Sequence, residues 1–135
     1  MAIDVEGMLK RVVTEVLGDD CAPTYFSDPT YQQDHRVRLR CANAEPRCAG
    51  LRATYEWFEV SIFDLGVSAT LFDYGDDESE KEAILRELAL VARAYLDGAG
   101  RVYQKRGLRS HPVLTITVNG REWKLGRRSS LVHYP

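Results

Sequence analysis

Long uninterrupted runs of apolar residues are missing from this sequence. Because about 20 consecutive apolar residues are needed to cross a bilayer, we expect no membrane-spanning segment. A secretory signal is not expected either, since Asp4 and Glu6 stand where such a signal has basic residues before an apolar stretch. Together these observations predict a cytoplasmic protein.

Cysteine is scarce as well, with three residues at Cys21, Cys41 and Cys48. This number agrees with a reducing compartment, and an odd count argues against a closed disulfide framework. A Cys41–Cys48 bridge remains an open alternative. We expect no zinc site, because this pair lacks the second pair of Cys or His ligands that completes the usual four.

Recognisable catalytic motifs are also absent. The sequence contains no G-x-S-x-G nucleophile elbow, no phosphate-binding glycine loop and no H-E-x-x-H. Hydrolase, kinase and dehydrogenase chemistry therefore has no visible basis. We expect a non-enzymatic protein that needs neither a metal nor a cofactor.

What the chain does contain is typical of one globular domain over residues 1–135, with 44% apolar and 28% charged residues. Its charge is unevenly distributed. Residues 1–97 carry 10 basic and 19 acidic side chains, a net charge of −9, whereas residues 98–135 carry 8 basic and one acidic, a net charge of +7. Either the two parts neutralise each other on folding, or opposed patches steer a charged partner.

Two amphipathic helices are predicted, at 4–17 and at 77–97. In both, apolar residues recur at helical spacing, and an aspartate, Asp4 or Asp77, stands at the cap position. Gly18 and Gly98 follow their last turns, as is typical of helix C-termini.

The clearest strand signal is a hairpin at 114–125. Asn119-Gly120 between two alternating runs predicts a type I′ turn, because that turn needs a positive φ at both central residues. This register places Val118 opposite Arg121, Ile116 opposite Trp123 and Leu114 opposite Leu125. Thr117–Glu122 and Thr115–Lys124 then lie on the solvent-exposed face.

Other strands are predicted around 24–26, at His35–Cys41, at 51–62, at 67–74 and at 101–106. In His35–Cys41, strict alternation places Arg36, Arg38 and Arg40 on one face. The alternation changes phase near Trp57–Phe58, which indicates a β-bulge in one long strand. If 67–74 and 101–106 share the sheet, the helix between them forms a right-handed crossover between parallel strands.

This order of elements predicts an α+β two-layer sandwich, in which a mainly antiparallel twisted sheet of five to seven strands carries both helices on one face. We expect a core drawn from both helices and from the strands. Its members are Leu9, Val12, Val13, Val37, Leu39, Ile62, Leu71, Leu88, Val91, Tyr95, Ile116, Trp123 and Leu125.

Two candidate sites follow from the residues. An acidic segment with one aromatic residue precedes and begins the second helix, and it is a candidate partner-binding surface. Its spacing does not match a calcium loop. Its members are Asp73, Tyr74, Asp76, Asp77, Glu78 and Glu80. The alternative is a small-molecule pocket or small active site at His35, walled by Tyr55 and Trp57.

We do not expect nucleic-acid binding, although Arg36, Arg38 and Arg40 raise that hypothesis, because the domain is net acidic and a residue such as Glu56 can neutralise the arginines across strands. In size, net charge and element order the chain resembles the small acidic α+β immunity proteins with which bacteria neutralise toxins. That resemblance implies an inhibitor whose acidic surface contacts a basic protein partner. The sequence does not indicate an oligomeric state.

Overall fold

A computed structural model describes residues 3–28, 34–107 and 110–127 of the chain. These residues form two helices, a short 3₁₀ turn at Gly18–Asp20 and eight strands. The helices are α1 (Val5–Leu17) and α2 (Glu78–Leu96). The strands are β1 (Cys21–Ser27), β2 (His35–Cys41), β3 (Ala49–Ala53), β4 (Trp57–Ile62), β5 (Val67–Phe72), β6 (Arg101–Lys105), β7 (His111–Val118) and β8 (Arg121–Arg127).

All eight strands belong to one antiparallel sheet with the order β1-β2-β3-β4-β5-β8-β7-β6. The buried faces of both helices share one apolar core with alternate residues of the strands, so the predicted α+β class is confirmed. The helices also contact each other, since Arg93 Nη1 donates to the Leu17 carbonyl oxygen at 2.8 Å. Neither helix is long and apolar enough to cross a membrane.

The predicted number of strands was too low because residues 51–62 form two strands, not one bulged strand. β3 and β4 are a hairpin whose last pair is Ala53 with Phe58. The Thr54 amide donates to the Trp57 carbonyl oxygen at 2.9 Å, and the Trp57 amide donates to Thr54 Oγ1 at 3.0 Å. The chain reverses there without glycine, proline or Asn-Gly, which is why the phase change was misread as a bulge.

The predicted parallel crossover is also wrong. α2 does lead from β5 to β6, but the β7–β8 hairpin lies between these two strands in the sheet. β8 pairs with β5 through Val67–Arg127 and Ser68–Gly126, and β6 pairs antiparallel with β7. Three successive antiparallel pairings make β6 antiparallel to β5.

The predicted β7–β8 hairpin is confirmed in its turn and in its register. Asn119 and Gly120 have φ values of 50° and 78°, as a type I′ turn requires. The five expected cross-strand pairs, from Val118–Arg121 to Leu114–Leu125, all form. Trp123, opposite Ile116, is 7% exposed and belongs to the core.

Both helices begin at the predicted aspartates. Asp4 Oδ1 accepts a hydrogen bond from the Gly7 amide at 2.9 Å, and Asp77 Oδ1 accepts one from the Ser79 amide at 2.9 Å. Among the predicted core residues, Leu71 is half-buried and packs against the core from its edge. The pairing of β5 with β8 covers only Val67 and Ser68, so it does not extend to the Leu71 end of β5.

The disulfide in the structure joins Cys21 to Cys41, not Cys41 to Cys48. Cys21 and Cys41 are direct partners across β1 and β2, with Cα atoms 4.1 Å apart. Cys48 is a free thiol. It precedes Ala49, the partner of Leu39, so alternation directs it to the face away from the core.

Candidate partner-binding surface

Among the described residues, the most exposed large apolar side chains lie where β5 ends and the loop to α2 begins. Phe72 is 59% exposed and Tyr74 is 70% exposed. Their rings are stacked, with centroids 5.9 Å apart and planes inclined by 16°. Phe72 follows Ser68 and Thr70 on the polar face of β5, so the alternation contained a signal for its exposure that we did not use.

Four exposed carboxylates follow this aromatic pair along the chain. Asp76 precedes α2, Asp77 is its cap, and Glu78 and Glu80 lie in its first turn. The positive end of the helix dipole stabilises negative charge at this position. We call these four residues, with Phe72 and Tyr74, the aromatic–acidic surface.

Most of these acidic groups have a neighbour that orients them. Asp77 caps α2, Asp76 Oδ1 accepts a hydrogen bond from the Tyr55 hydroxyl at 3.1 Å, and Glu78 Oε1 is 3.9 Å from Arg11 Nη2. The bond to the Asp76 carboxylate raises the pKa of Tyr55 above its ordinary value. Glu80 has no ion-pair partner among the described residues.

Asp73, the remaining acidic residue of the predicted surface, is held inside the fold by Lys81. The Lys81 side chain is fully buried, and its Nζ donates to the Asp73 carbonyl oxygen at 2.7 Å and to the Tyr55 carbonyl oxygen at 2.8 Å. The same ammonium lies 3.4 Å from Asp73 Oδ1 and 4.8 Å above the centre of the Tyr55 ring. Asp73 therefore supports the loop from within.

The sequence contained a signal for Lys81, although the predicted surface does not include it. Lys81 precedes Leu85 by four residues and Leu88 by seven, which places it on the buried stripe of α2. A charged residue on such a stripe needs a partner inside the protein. Lys81 ties α2 to the β3–β4 turn and to the β5–α2 loop, and this fixes the base of the aromatic–acidic surface.

The residues of the alternative pocket do not converge. His35 pairs with the core residue Ala53 and lies on the helix side, where its Nδ1 is 2.6 Å from Ser27 Oγ. Trp57 pairs with Phe72 on the other face, and the Arg52 guanidinium lies 4.4 Å above its ring. Alternation along β3 places Ala53 and Arg52 on opposite faces, and it separates His35 from Trp57 in the same way.

The arginines on the second face of the sheet are partly neutralised by a residue that we had not expected. Asp34 is buried and binds Arg36 Nη2 at 2.9 Å and Arg52 Nη2 at 2.8 Å. Burial by itself raises the pKa of the Asp34 carboxyl, but the hydrogen bonds and charges of Arg52 and Arg36 outweigh it and lower that pKa below its ordinary value. Glu56, the neutralising residue we suggested, lies exposed in the β3–β4 turn.

Within the described ranges, no three His, Cys, Asp or Glu side chains are grouped so as to hold a metal ion. Comparisons with models of protein families, with curated proteins and with solved structures find no match to this chain. The described residues form an α+β protein with an exposed aromatic–acidic surface. The resemblance to immunity proteins rests on size, net charge and element order alone.

Proposed function

We propose that this protein is a non-enzymatic binding protein that recognises a basic protein partner through the aromatic–acidic surface. The observation that carries the proposal is the stacked Phe72–Tyr74 pair, which is exposed to solvent and is followed along the chain by four exposed carboxylates. Aromatic side chains of this kind supply most of the binding energy when a partner buries them. The charges of the carboxylates accelerate encounter with a partner of opposite charge and discriminate against other partners.

The support beneath the surface favours recognition of a partner. Lys81 holds the loop through two carbonyl oxygens, and Asp77 fixes the start of α2. A surface that is ordered before binding loses less conformational entropy when the partner arrives. The alternative function, a small-molecule pocket or small enzyme at His35, has less support because His35 and Trp57 lie on opposite faces of the sheet.

The resemblance to immunity proteins extends this proposal to an inhibitor of a toxin, since many toxin active sites that bind nucleic acid are basic. A cytoplasmic location belongs to the same proposal. The Cys21–Cys41 disulfide weakens the argument from cysteine number, because disulfides persist mainly in oxidising compartments.

The proposal is tested by affinity purification of the full chain's partners from its native host at low and at high salt. A second bait carries Asp76→Lys and Glu80→Lys, two reversals that leave the Asp77 cap intact. The matched control carries Asp19→Lys and Glu122→Lys, which make the same change in net charge at exposed sites elsewhere.

We expect one stoichiometric basic protein that is retained by the wild type and the control bait, and that is lost with the reversed surface or at high salt. A Tyr74→Ser bait should lose it as well, because the anchor is removed without a change of charge. Retention by the reversed surface, or equal loss with the control bait, would overturn the proposal.

A further inference from the structure

A second feature lies at the other end of α2, where a surface cavity of about 600 Å³ opens beside the end of β2 and the loop to β3. Three arginines line it, Arg38, Arg40 and Arg47, together with one carboxylate, Glu45, and the free thiol of Cys48. The charged groups of the lining therefore sum to +2.

Arg47 is held rigidly at the rim of this cavity. Its Nη1 donates to the carbonyl oxygens of Tyr95 at 2.7 Å and of Ala99 at 2.9 Å, and its guanidinium lies 4.4 Å above the centre of the Tyr95 ring. The described residues accept two of its five N–H groups, so three remain for a ligand. The Tyr95 hydroxyl is in turn hydrogen-bonded to Asp64, which also accepts the Cys48 amide at 3.0 Å.

Arg38 is oriented as well. Its guanidinium lies 5.3 Å above the centre of the Phe63 ring, and its Nε donates to Cys48 Sγ at 3.4 Å. Phe63 packs closely on this part of the sheet, because its ring would lie 2.6 Å from a Cβ added at Gly50. Stacking on an aromatic ring holds an arginine in one orientation, so the positive charge of Arg38 is fixed at the wall of the cavity.

Arg40 differs from the other two. It is exposed, and none of the described residues accepts a hydrogen bond from its guanidinium or forms an ion pair with it. Like charges that converge on one cavity repel each other, and a bound anion relieves that repulsion. Two oriented guanidinium groups and a third that is exposed form a site suited to an anion with several oxygen atoms.

We propose that this cavity binds a small oxyanion with two or more negative charges, of the phosphate or polycarboxylate class. Arg47 supplies fixed donors, Arg38 adds a fixed positive charge, Arg40 closes onto the ligand from the rim, and Glu45 opposes binding. The aromatic–acidic surface includes the first turn of α2, and Arg47 binds the Tyr95 carbonyl oxygen near the other end of this 19-residue helix, which is about 27 Å long at 1.5 Å per residue. Each site can therefore be tested without the other.

The probes are pyrophosphate and citrate, titrated at constant ionic strength into the full chain. Binding is followed by calorimetry and by the NMR signals of the arginine Nε–H groups and the Cys48 amide. We expect saturable binding of at least one probe with a Kd below about 1 mM. Pyrophosphate alone would identify a phosphoryl ligand, and citrate alone would identify a polycarboxylate.

Variants assign the site. Arg40→Gln should weaken binding about tenfold, because it removes charge-assisted hydrogen bonds, and it should leave the fold unchanged because the side chain is exposed. Glu45→Gln should tighten binding about threefold by removing the opposing charge. Arg101→Gln is the matched control, an exposed arginine on the β6 edge of the sheet.

The absence of saturable binding of both probes, or equal weakening by Arg40→Gln and Arg101→Gln, would overturn the assignment. Unchanged binding in Arg40→Gln would do the same. None of these results bears on the partner-binding proposal, since none of the variants touches the aromatic–acidic surface.

Discussion

Replacement of Lys81 by methionine tests whether a buried ammonium organises the loop below the aromatic–acidic surface. Methionine keeps most of the apolar stem and removes the charge. The Lys81 side chain is fully buried, and its Nζ has three oxygen contacts within 3.4 Å, on Tyr55 and Asp73. The variant leaves the Asp73 carboxylate, itself 11% exposed, without its cation.

Removal of one partner from a buried ion pair costs about 3–5 kcal/mol, because the other charge remains buried without compensation. We therefore expect Lys81→Met to lower the free energy of unfolding by that amount. Adding Asp73→Asn should recover part of the loss, since the amide is neutral and its oxygen can still accept the Gly75 amide. The double variant should be about 1–2 kcal/mol more stable than it would be if the destabilisations by the two single substitutions simply added.

Urea titrations followed by circular dichroism and tryptophan fluorescence measure these differences. Lys10→Met is the matched control, because Lys10 is also helical and ion-paired but its side chain is 51% exposed. The control should change stability by no more than about 0.5 kcal/mol. A loss below about 1 kcal/mol for Lys81→Met would refute the reasoning, because a buried pair costs several times more to break.

Three further predictions use the same measurement. Trp123→Ala should cost about 3–5 kcal/mol, because the ring is 7% exposed within the core; a near-neutral result would place the ring at the surface. The pKa of Asp34 is lowered in the folded state. The Asp34 carboxylate therefore stabilises the fold above the ordinary aspartate pKa of about 3.9, and this stabilisation is lost as the pH falls through the lower pKa of the folded state. Asp34→Asn should therefore lower stability at pH 7 and flatten this acid-dependent loss, and an unchanged acid profile would contradict the assignment. Reduction of the Cys21–Cys41 disulfide, which spans 20 residues, should cost about 3 kcal/mol, whereas a double serine variant should be insensitive to reductant.

The features that the sequence predicted correctly are those decided within a few neighbouring residues. Asn119-Gly120 specifies a turn because the two residues tolerate positive φ, and the turn then sets the register of the hairpin. Asp4 and Asp77 begin the helices because a carboxylate can accept amide hydrogens two or three positions further along the chain. The acidic residues and Tyr74 of the candidate surface were likewise predicted from neighbouring positions in the sequence.

The features that only the tertiary structure decided depend on residues far apart in the chain. Thr54 closes a turn with its own side chain and without glycine, so β3 and β4 became distinguishable only through their pairing. The insertion of the β7–β8 hairpin beside β5 reversed the direction that we expected for β6. Local patterns cannot specify such pairings, because they depend on which strand edges remain available in the folded sheet.

The same distinction applies to the charged residues. Lys81 and Asp73 are eight positions apart, and Arg52 lies 18 positions from Asp34, so their pairing required the folded chain. The sequence by itself predicted an α+β domain and showed which residues are polar. The fold determined which charges are buried and compensated and which remain at the surface, because a buried charge is stable only where the structure supplies its partner.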